Sequence, residues 1–399
     1  MVFYNIGVNL YVFFVSVFSL WNEKAKKWID GRADVWSKIE SFKSNGSPIY
    51  WFHCASLGEF EQGRPIIESL KQKENCQIVI SFFSPSGYEI RHNYELADLV
   101  VYLPKDSKAN ARKFLSTIQP KSIFFVKYEF WAHYIFEAKR LQIPIYSVSA
   151  IFRKEQIFFK TYGGFMRKIL KAFDAIFVQD TQSAKMLKTI DIESIIAGDT
   201  RYDRVVENAS RVESYPLIES FIDHQKVLVV GSSWGEDETL LKSLIDTPGF
   251  NWKVIIAPHE IHASHLNQIE GLFEKRIVRY SNLKAGCESD ILLIDNIGLL
   301  MNVYQYANIA YVGGAFGKGL HNILEPASFG VPVIIGPNYD KFQEAKDFIA
   351  NRIGISIHDK ASLKIAFEHF KVKDLSDQVQ AFMNAKTGAT NIILEKIKV

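Results

Sequence analysis

Short runs rich in Ile, Val and Phe, each followed by an amphipathic stretch, recur along almost the whole chain. The first set lies at 49–55, 77–83, 99–103, 122–126, 144–148, 175–178 and 194–197, with helical patterns such as 62–73, 107–118 and 131–141 between them. Apolar runs separated by helices indicate parallel strands buried on both faces. A parallel connection needs a crossover, and the crossover helix covers the sheet. The pattern stops at 201–215, which is polar, and restarts at Lys226 with runs at 227–230, 252–257, 277–280, 291–294, 309–312 and 331–335. This predicts an α/β protein of two Rossmann-like, doubly wound domains, over 23–210 and 211–399. Open parallel sheets bind ligands outside the carboxyl ends of their strands. The chemistry is therefore expected in the loops that follow strands, in a cleft between the two domains.

Composition removes several classes. The chain has 399 residues, 48% hydrophobic and 23% charged, which excludes intrinsic disorder as an overall description. Lys plus Arg is 47 and Asp plus Glu is 44, a net charge of +3, too small to bind nucleic acid by bulk electrostatics. Cys54, Cys76 and Cys287 form no CxxC pair, so neither a zinc site nor a disulfide framework is expected. No DxD or clustered His/Asp/Glu site is evident, so no metal or other cofactor is expected.

Residues 1–22 carry no charged side chain and just reach the roughly 20 apolar residues of a membrane span. A signal peptide would place a basic residue before the run and a small-residue cleavage site after it, and neither is present. A buried core helix would usually carry a polar stripe. A membrane-anchoring helix fits best. Lys24, Lys26, Lys27 and Arg32 would flank it on the cytoplasmic side, drawn to anionic headgroups, with Trp21 and Trp28 as interface aromatics. The body would then work at the inner face of a membrane.

Several loops carry candidate chemistry. After the first run comes Ser56-Leu57-Gly58-Glu59, with Gly63 and Arg64 further on. Ser56 and Glu59 have the spacing of a capping box. Alternatively, Glu59 is an ionised base at a helix start, where the helix dipole favours a carboxylate. Glu61 is its local competitor. Ser84-Pro85-Ser86-Gly87 is either an anion-holding loop or a tight turn. Lys127-Tyr128-Glu129 is either a solvated edge or a cleft cation for phosphate or carboxylate. In the second half Gly231-Ser232-Ser233-Trp234-Gly235, Pro258-His259 and Asp295-Asn296-Ile297-Gly298 each follow a run. The densest stretch runs from Gly313 through Gly314, Gly317, Lys318 and Gly319 to His321, Asn322, Glu325 and Pro326. Backbone amides there form an anion cradle, and Glu325 can accept from a ribose diol. The stretch is neither GxGxxG nor GxxxxGK[ST], so neither a nicotinamide fold nor a P-loop is supported.

Together these motifs resemble the GT-B glycosyltransferases, and more narrowly the 3-deoxy-D-manno-octulosonic-acid (Kdo) transferases. The carriers are Ser56–Glu59, Lys127–Trp131, Gly198–Asp203, Gly231–Ser233 and the block from Gly313 to Gly336. The resemblance implies transfer of Kdo from CMP-Kdo to a lipid A precursor, lipid IVA, at the cytoplasmic face of the inner membrane. It implies inversion at the anomeric centre without a bound metal. Glu59 would be the base. Ser232, Ser233, Pro258, His259, Asn296, Gly298, Gly314, Lys318, Gly319, Asn322 and Glu325 would hold the donor. Ser56, Gly58, Arg64, Ser86 and Lys127 would hold the acceptor. The chain departs from the family pattern after its second strand of the second domain. An Arg-His-Pro common in the family is here Ala257-Pro258-His259-Glu260, which leaves the basic donor contact to another residue such as Lys318. Its second-loop threonines are also replaced, by Ser84-Pro85-Ser86. A sugar-nucleotide 2-epimerase, a non-catalytic nucleotide-sugar-binding module and a glycosyltransferase acting on another lipid remain alternatives on the same fold.

Overall fold

The computed structural model describes residues 1–317 and 319–397, with Lys275 described in its backbone only. Each half forms one parallel seven-stranded sheet. The first contains β1 (Ile49–Cys54), β2 (Gln77–Phe82), β3 (Leu99–Tyr102), β4 (Ser122–Val126), β5 (Ile145–Ala150), β6 (Ala175–Val178) and β7 (Ile195–Ile196), in the order β3-β2-β1-β4-β5-β6-β7. The second contains β8 (Val227–Ser233), β9 (Lys253–Pro258), β10 (Ile277–Arg279), β11 (Ile291–Leu293), β12 (Ile309–Val312), β13 (Val333–Ile335) and β14 (Gly354–Ser356), in the order β10-β11-β9-β8-β12-β13-β14. The expected runs are all strands. The three-residue β14 offers no apolar run and was not anticipated. Both sheets reverse direction of growth at their first strand, between β1 and β4 and between β8 and β12. Such a reversal leaves a crevice above the strand tips, because the loops on its two sides depart in opposite directions.

Alternation along β1 shows how the first sheet is filled. Trp51 packs into the core on one face, while Tyr50, Phe52 and Cys54 enter the core on the other. His53 follows Trp51 by two residues, so it shares that face and is fully buried.

The domain limits differ from expectation. The chain divides between Asp203 and Arg204, and the segment from Thr387 onward belongs with the first unit. The carboxylate of Asp203 accepts from Gly388 N at 2.5 Å and Thr390 N at 2.6 Å, which caps the helix Ala389–Lys396. Ile393 and Leu394 of that helix join the core of Phe60, Ile66 and Ile67. The sequence alone assigned this tail to the second domain, because an isolated amphipathic helix carries no signal for which sheet it covers.

The apolar N-terminus forms the helix Val2–Phe18, which buries no residue. Among the described residues no single helix is long and apolar enough to cross a membrane. This helix and Glu23–Asp30 together pass on composition, but they meet at a 119° bend. The polar stripe that the sequence reading judged absent exists in part. Tyr4 donates to Asp106, Asn5 Oδ1 lies 2.7 Å from His133 Nε2, and Lys105 donates to Asn9. Ser16 and Ser19 bond carbonyls of their own helix turn. The opposite stripe, including Phe3, Ile6, Leu10, Phe13 and Phe14, is exposed.

Two flanking assignments are corrected. Trp28 is buried, and Arg32 lies 3.7 Å over its ring while donating to the carbonyls of Trp28, Phe83 and Leu103. Burial pushes the Arg32 guanidinium down to about 9. Both are structural staples, whereas Lys24, Lys26, Lys27 and Trp21 are exposed.

Candidate active site

In the first unit the loops after β1 and β4 flank the reversal point. Glu59 sits in the first turn of the helix Leu57–Lys73. Its carboxylate accepts from the Ala55 backbone amide. The Ser56 hydroxyl makes no cap hydrogen bond, so only the glutamate half of the expected capping box is formed. Burial and the nearby charge of Glu129 raise the Glu59 carboxyl to about 7, against the amides of Ala55 and Ser56 and the ammonium of Lys127. A carboxyl titrating there is suited to take a proton near neutral pH. Glu61 pairs with Arg91 at 3.0 Å, consistent with its helical offset from Glu59.

Glu129 is the residue that sequence reasoning passed over. Its Oε2 accepts from Trp131 Nε1 at 2.6 Å and lies 2.9 Å from His53 Nε2. His53 Nδ1 is 2.8 Å from Ser81 Oγ, its direct neighbour in register on β2, and Ser81 also accepts from Trp51 Nε1. Both carboxylates are thus tied to one three-residue strand end, Glu129 through the His53 ring and Glu59 through the Ala55 amide. The charged triplet 127–129 was the available signal, but nothing local linked it to His53.

The other first-unit candidates divide. Lys127 follows β4 with φ of 64°, a left-handed conformation uncommon for a residue with a Cβ. Gly58 is exposed, with open space where a Cβ would stand. Arg64 is engaged with Glu68 at 2.5 Å. Ser86 is exposed at the start of the helix Pro85–Arg91, where Ser84 accepts from its amide. Gly87 has a packing reason: a Cβ there would stand 2.3 Å from the Phe82 ring.

In the second unit the loops after β8 and β12 occupy the corresponding place. Ser232 has φ of 53°, beside a register shift between Gly231 and Ser233. The Ser233 side chain is buried and donates to Glu238 at 2.9 Å, so its hydroxyl is spent inside the domain. Gly314 has φ of +91°, and a Cβ there would meet the Gly319 carbonyl at 2.3 Å, so only glycine closes this loop. Asp237, also passed over, holds the loop in place. Its buried carboxylate accepts from Gly314 N at 3.0 Å, Trp234 N at 2.9 Å and Tyr311 Oη at 2.6 Å.

Asn322 Nδ2 donates to Glu325 Oε1 at 3.0 Å. Burial raises the Glu325 carboxyl, against Asn322 and the charge of Arg204. Asn296 and Gly298 are exposed after β11, Gly319 follows in the glycine loop, and Pro258 is the buried last residue of β9. Lys318 lies outside the described residues. A cleft of about 930 Å³ is lined by Trp234, Gly235, Glu236, Gly314, Phe316 and Gly317, within the range of small-ligand sites. Among the described residues no group of three or more His, Cys, Asp or Glu could hold a metal ion.

The chain is similar to known proteins. The family model described as 3-deoxy-D-manno-octulosonic-acid transferase (kdotransferase) matches residues 29–204. The chain is 27% identical to the 3-deoxy-D-manno-octulosonic acid transferase of Aquifex aeolicus over 317 residues, 78% of this chain and 82% of that one. It is 28% identical to the transferase of the same name from Chlamydophila psittaci over 307 residues, 73% of this chain and 70% of the relative. Among solved structures, UDP-GlcNAc 2-epimerase from Neisseria meningitidis shares the fold, with a TM-score of 0.58 at 16% identity, covering 87% of this chain and 98% of that one. The chain is thus similar to the 3-deoxy-D-manno-octulosonic-acid transferases, through the family model over residues 29–204 and through these relatives.

Proposed function

We propose that the protein is an inverting glycosyltransferase that moves Kdo from CMP-Kdo to a lipid A precursor, lipid IVA, in lipopolysaccharide assembly. The observation that carries this reading is Glu59, a half-buried carboxylate at the β1 tip, raised to about 7 and faced by Lys127 and Glu129. It takes the proton from the acceptor hydroxyl as that oxygen attacks the anomeric carbon, while CMP departs. The acceptor meets Ser56, Gly58, Arg64, Ser86 and Lys127. In the second unit, the Gly314 loop offers its backbone to the donor phosphate, and the Asn322–Glu325 pair accepts from the ribose. Ser232, His259, Asn296, Gly298 and Gly319 complete the donor surface.

The work is done at the cytoplasmic face of the inner membrane, with the apolar stripe of Val2–Phe18 against lipid. Two features support this. The stripe is exposed, and the helix serines are satisfied internally, as a lipid-facing helix requires.

The test is incubation of full-length protein with CMP-Kdo and a tetraacylated, bisphosphorylated disaccharide lipid, read by mass spectrometry. A gain of one or more Kdo units is expected. An unchanged lipid, together with conversion of a UDP-sugar to its 2-epimer, would replace transfer by isomerisation. Membrane contact is tested with liposomes. Removing residues 1–22 should abolish co-sedimentation.

A further inference from the structure

At the tips of β8, β9 and β12 three rings from three loops meet. The indole Nε1–H of Trp234 donates to His321 Nε2 at 3.2 Å. His259 stacks on both, 4.8 Å from Trp234 at 29° and 4.3 Å from His321 at 24°. An indole nitrogen can only donate, so Nε2 of His321 is the accepting nitrogen and the neutral ring carries its hydrogen on Nδ1. Among the described residues neither Nδ1 of His321 nor either ring nitrogen of His259 has a hydrogen-bond partner. Three ring nitrogens therefore remain available at the rim where an open sheet receives its ligand.

The surrounding charges set how these nitrogens can be used. Asp237 is spent on Gly314, Trp234 and Tyr311. Glu260 pairs with His262 at 3.0 Å and Glu238 with His265 at 3.1 Å. Glu236 is an exposed carboxylate at the mouth of the cleft. Burial and the facing His259 push His321 down to about 4. His259 is the exposed member of the pair.

We propose that the donor phosphate is met here by this imidazole pair: His259 supplies the positive charge, His321 a neutral Nδ1–H, and Trp234 fixes the tautomer. The inference rests on the donor-site reading above. An imidazole gains its charge around neutrality. Donor binding by this pair must therefore take up a proton.

The experiment is calorimetric titration of full-length protein with CMP from pH 6.5 to 8.5, in two buffers of different ionisation enthalpy. Wild type should bind roughly tenfold more tightly at pH 6.5 than at 8.5, with up to one proton taken up per CMP. Tenfold is about the weight of one hydrogen bond to a charged group. His259→Gln should weaken CMP about tenfold at pH 6.5 and no more than about twofold at 8.5. The second ionisation of the nucleotide phosphate is common to both proteins and cancels in their difference. Trp234→Phe keeps the stack but releases the tautomer, and should weaken binding about threefold.

The buffer comparison is repeated on wild-type protein with the methyl ester of CMP, a phosphodiester with no second ionisation, so a variant that fails to fold leaves the test intact. Binding of that ester with no linked proton overturns this inference and leaves the donor site standing. So does a His259→Gln protein with the wild-type pH slope. If CMP binds at no pH, the donor-site reading falls and this inference with it.

Discussion

The two sheets reverse at equivalent places, yet their loops are built from opposite materials. Above β1 and β4 the crevice is walled by acids and a histidine bound to one another. Glu59 is held by a strand-end amide, and Glu129 by His53 and Trp131. Above β8 and β12 it is walled by glycines and rings, with the one buried acid, Asp237, turned inward to hold a loop. The first arrangement holds a proton acceptor in a costly place. The second leaves backbone amides and ring faces open to a ligand. On the proposed reading, the same topology serves proton transfer in one half and recognition in the other, because the fold dictates only where loops gather.

The sharpest way to break this contrast is Glu59→Gln. It should keep CMP affinity and lose roughly 10²- to 10⁴-fold in turnover, the usual weight of general-base catalysis. Turnover near wild type would move the base elsewhere, first to Glu129. Next in size is Glu325→Ala, which should weaken CMP roughly 10- to 150-fold, since hydrogen bonds to charged groups contribute about 1.5–3 kcal/mol. Calorimetry of the folded variant reads this directly, and an unchanged dissociation constant would place the nucleotide elsewhere.

Glu129→Gln tests whether the acids of the first crevice act together. The base works deprotonated, so turnover should rise with pH through about 7 in wild type. Removing a neighbouring negative charge lowers the Glu59 carboxyl, so the acid limb should move down by roughly one pH unit. A limb that stays in place would show that Glu129 serves packing alone.

The smallest effect is on stability. The Glu59 carboxyl is raised on folding. Its favourable contribution is therefore complete below the unfolded-state value and is lost as pH rises through about 7. Glu59→Gln should accordingly melt higher than wild type at pH 8 and close to it at pH 5. A lower melting temperature at both values would mean that the carboxylate serves mainly as a helix cap.

Much of this was legible in the sequence. Strands covered on both faces must be apolar throughout, so 49–55 and 309–312 announced themselves without knowledge of their neighbours. The glycine-rich loop from Gly313 was legible as a tight loop because glycine spacing is a local property. The domain limit was less so. Helix Thr200–Ala209 is polar and amphipathic, which marks a junction but not the residue at which contacts change sides. Arg32 and Trp28 read as membrane flanks because sequence places them after an apolar run. Only packing shows that they stack on each other.

The order of apolar runs by itself determined both sheets and the loops in which chemistry could lie, since burial on two faces leaves few residue types to choose from. Tertiary structure alone decided which residues those loops bring together. His53 and Glu129 are 76 residues apart and meet because β1 and β4 are neighbours. Trp234 and His321 are 87 apart and meet because β8 and β12 are neighbours. Hydrogen bonds and charge coupling act over a few ångströms, and strand order sets which distant residues come within that range.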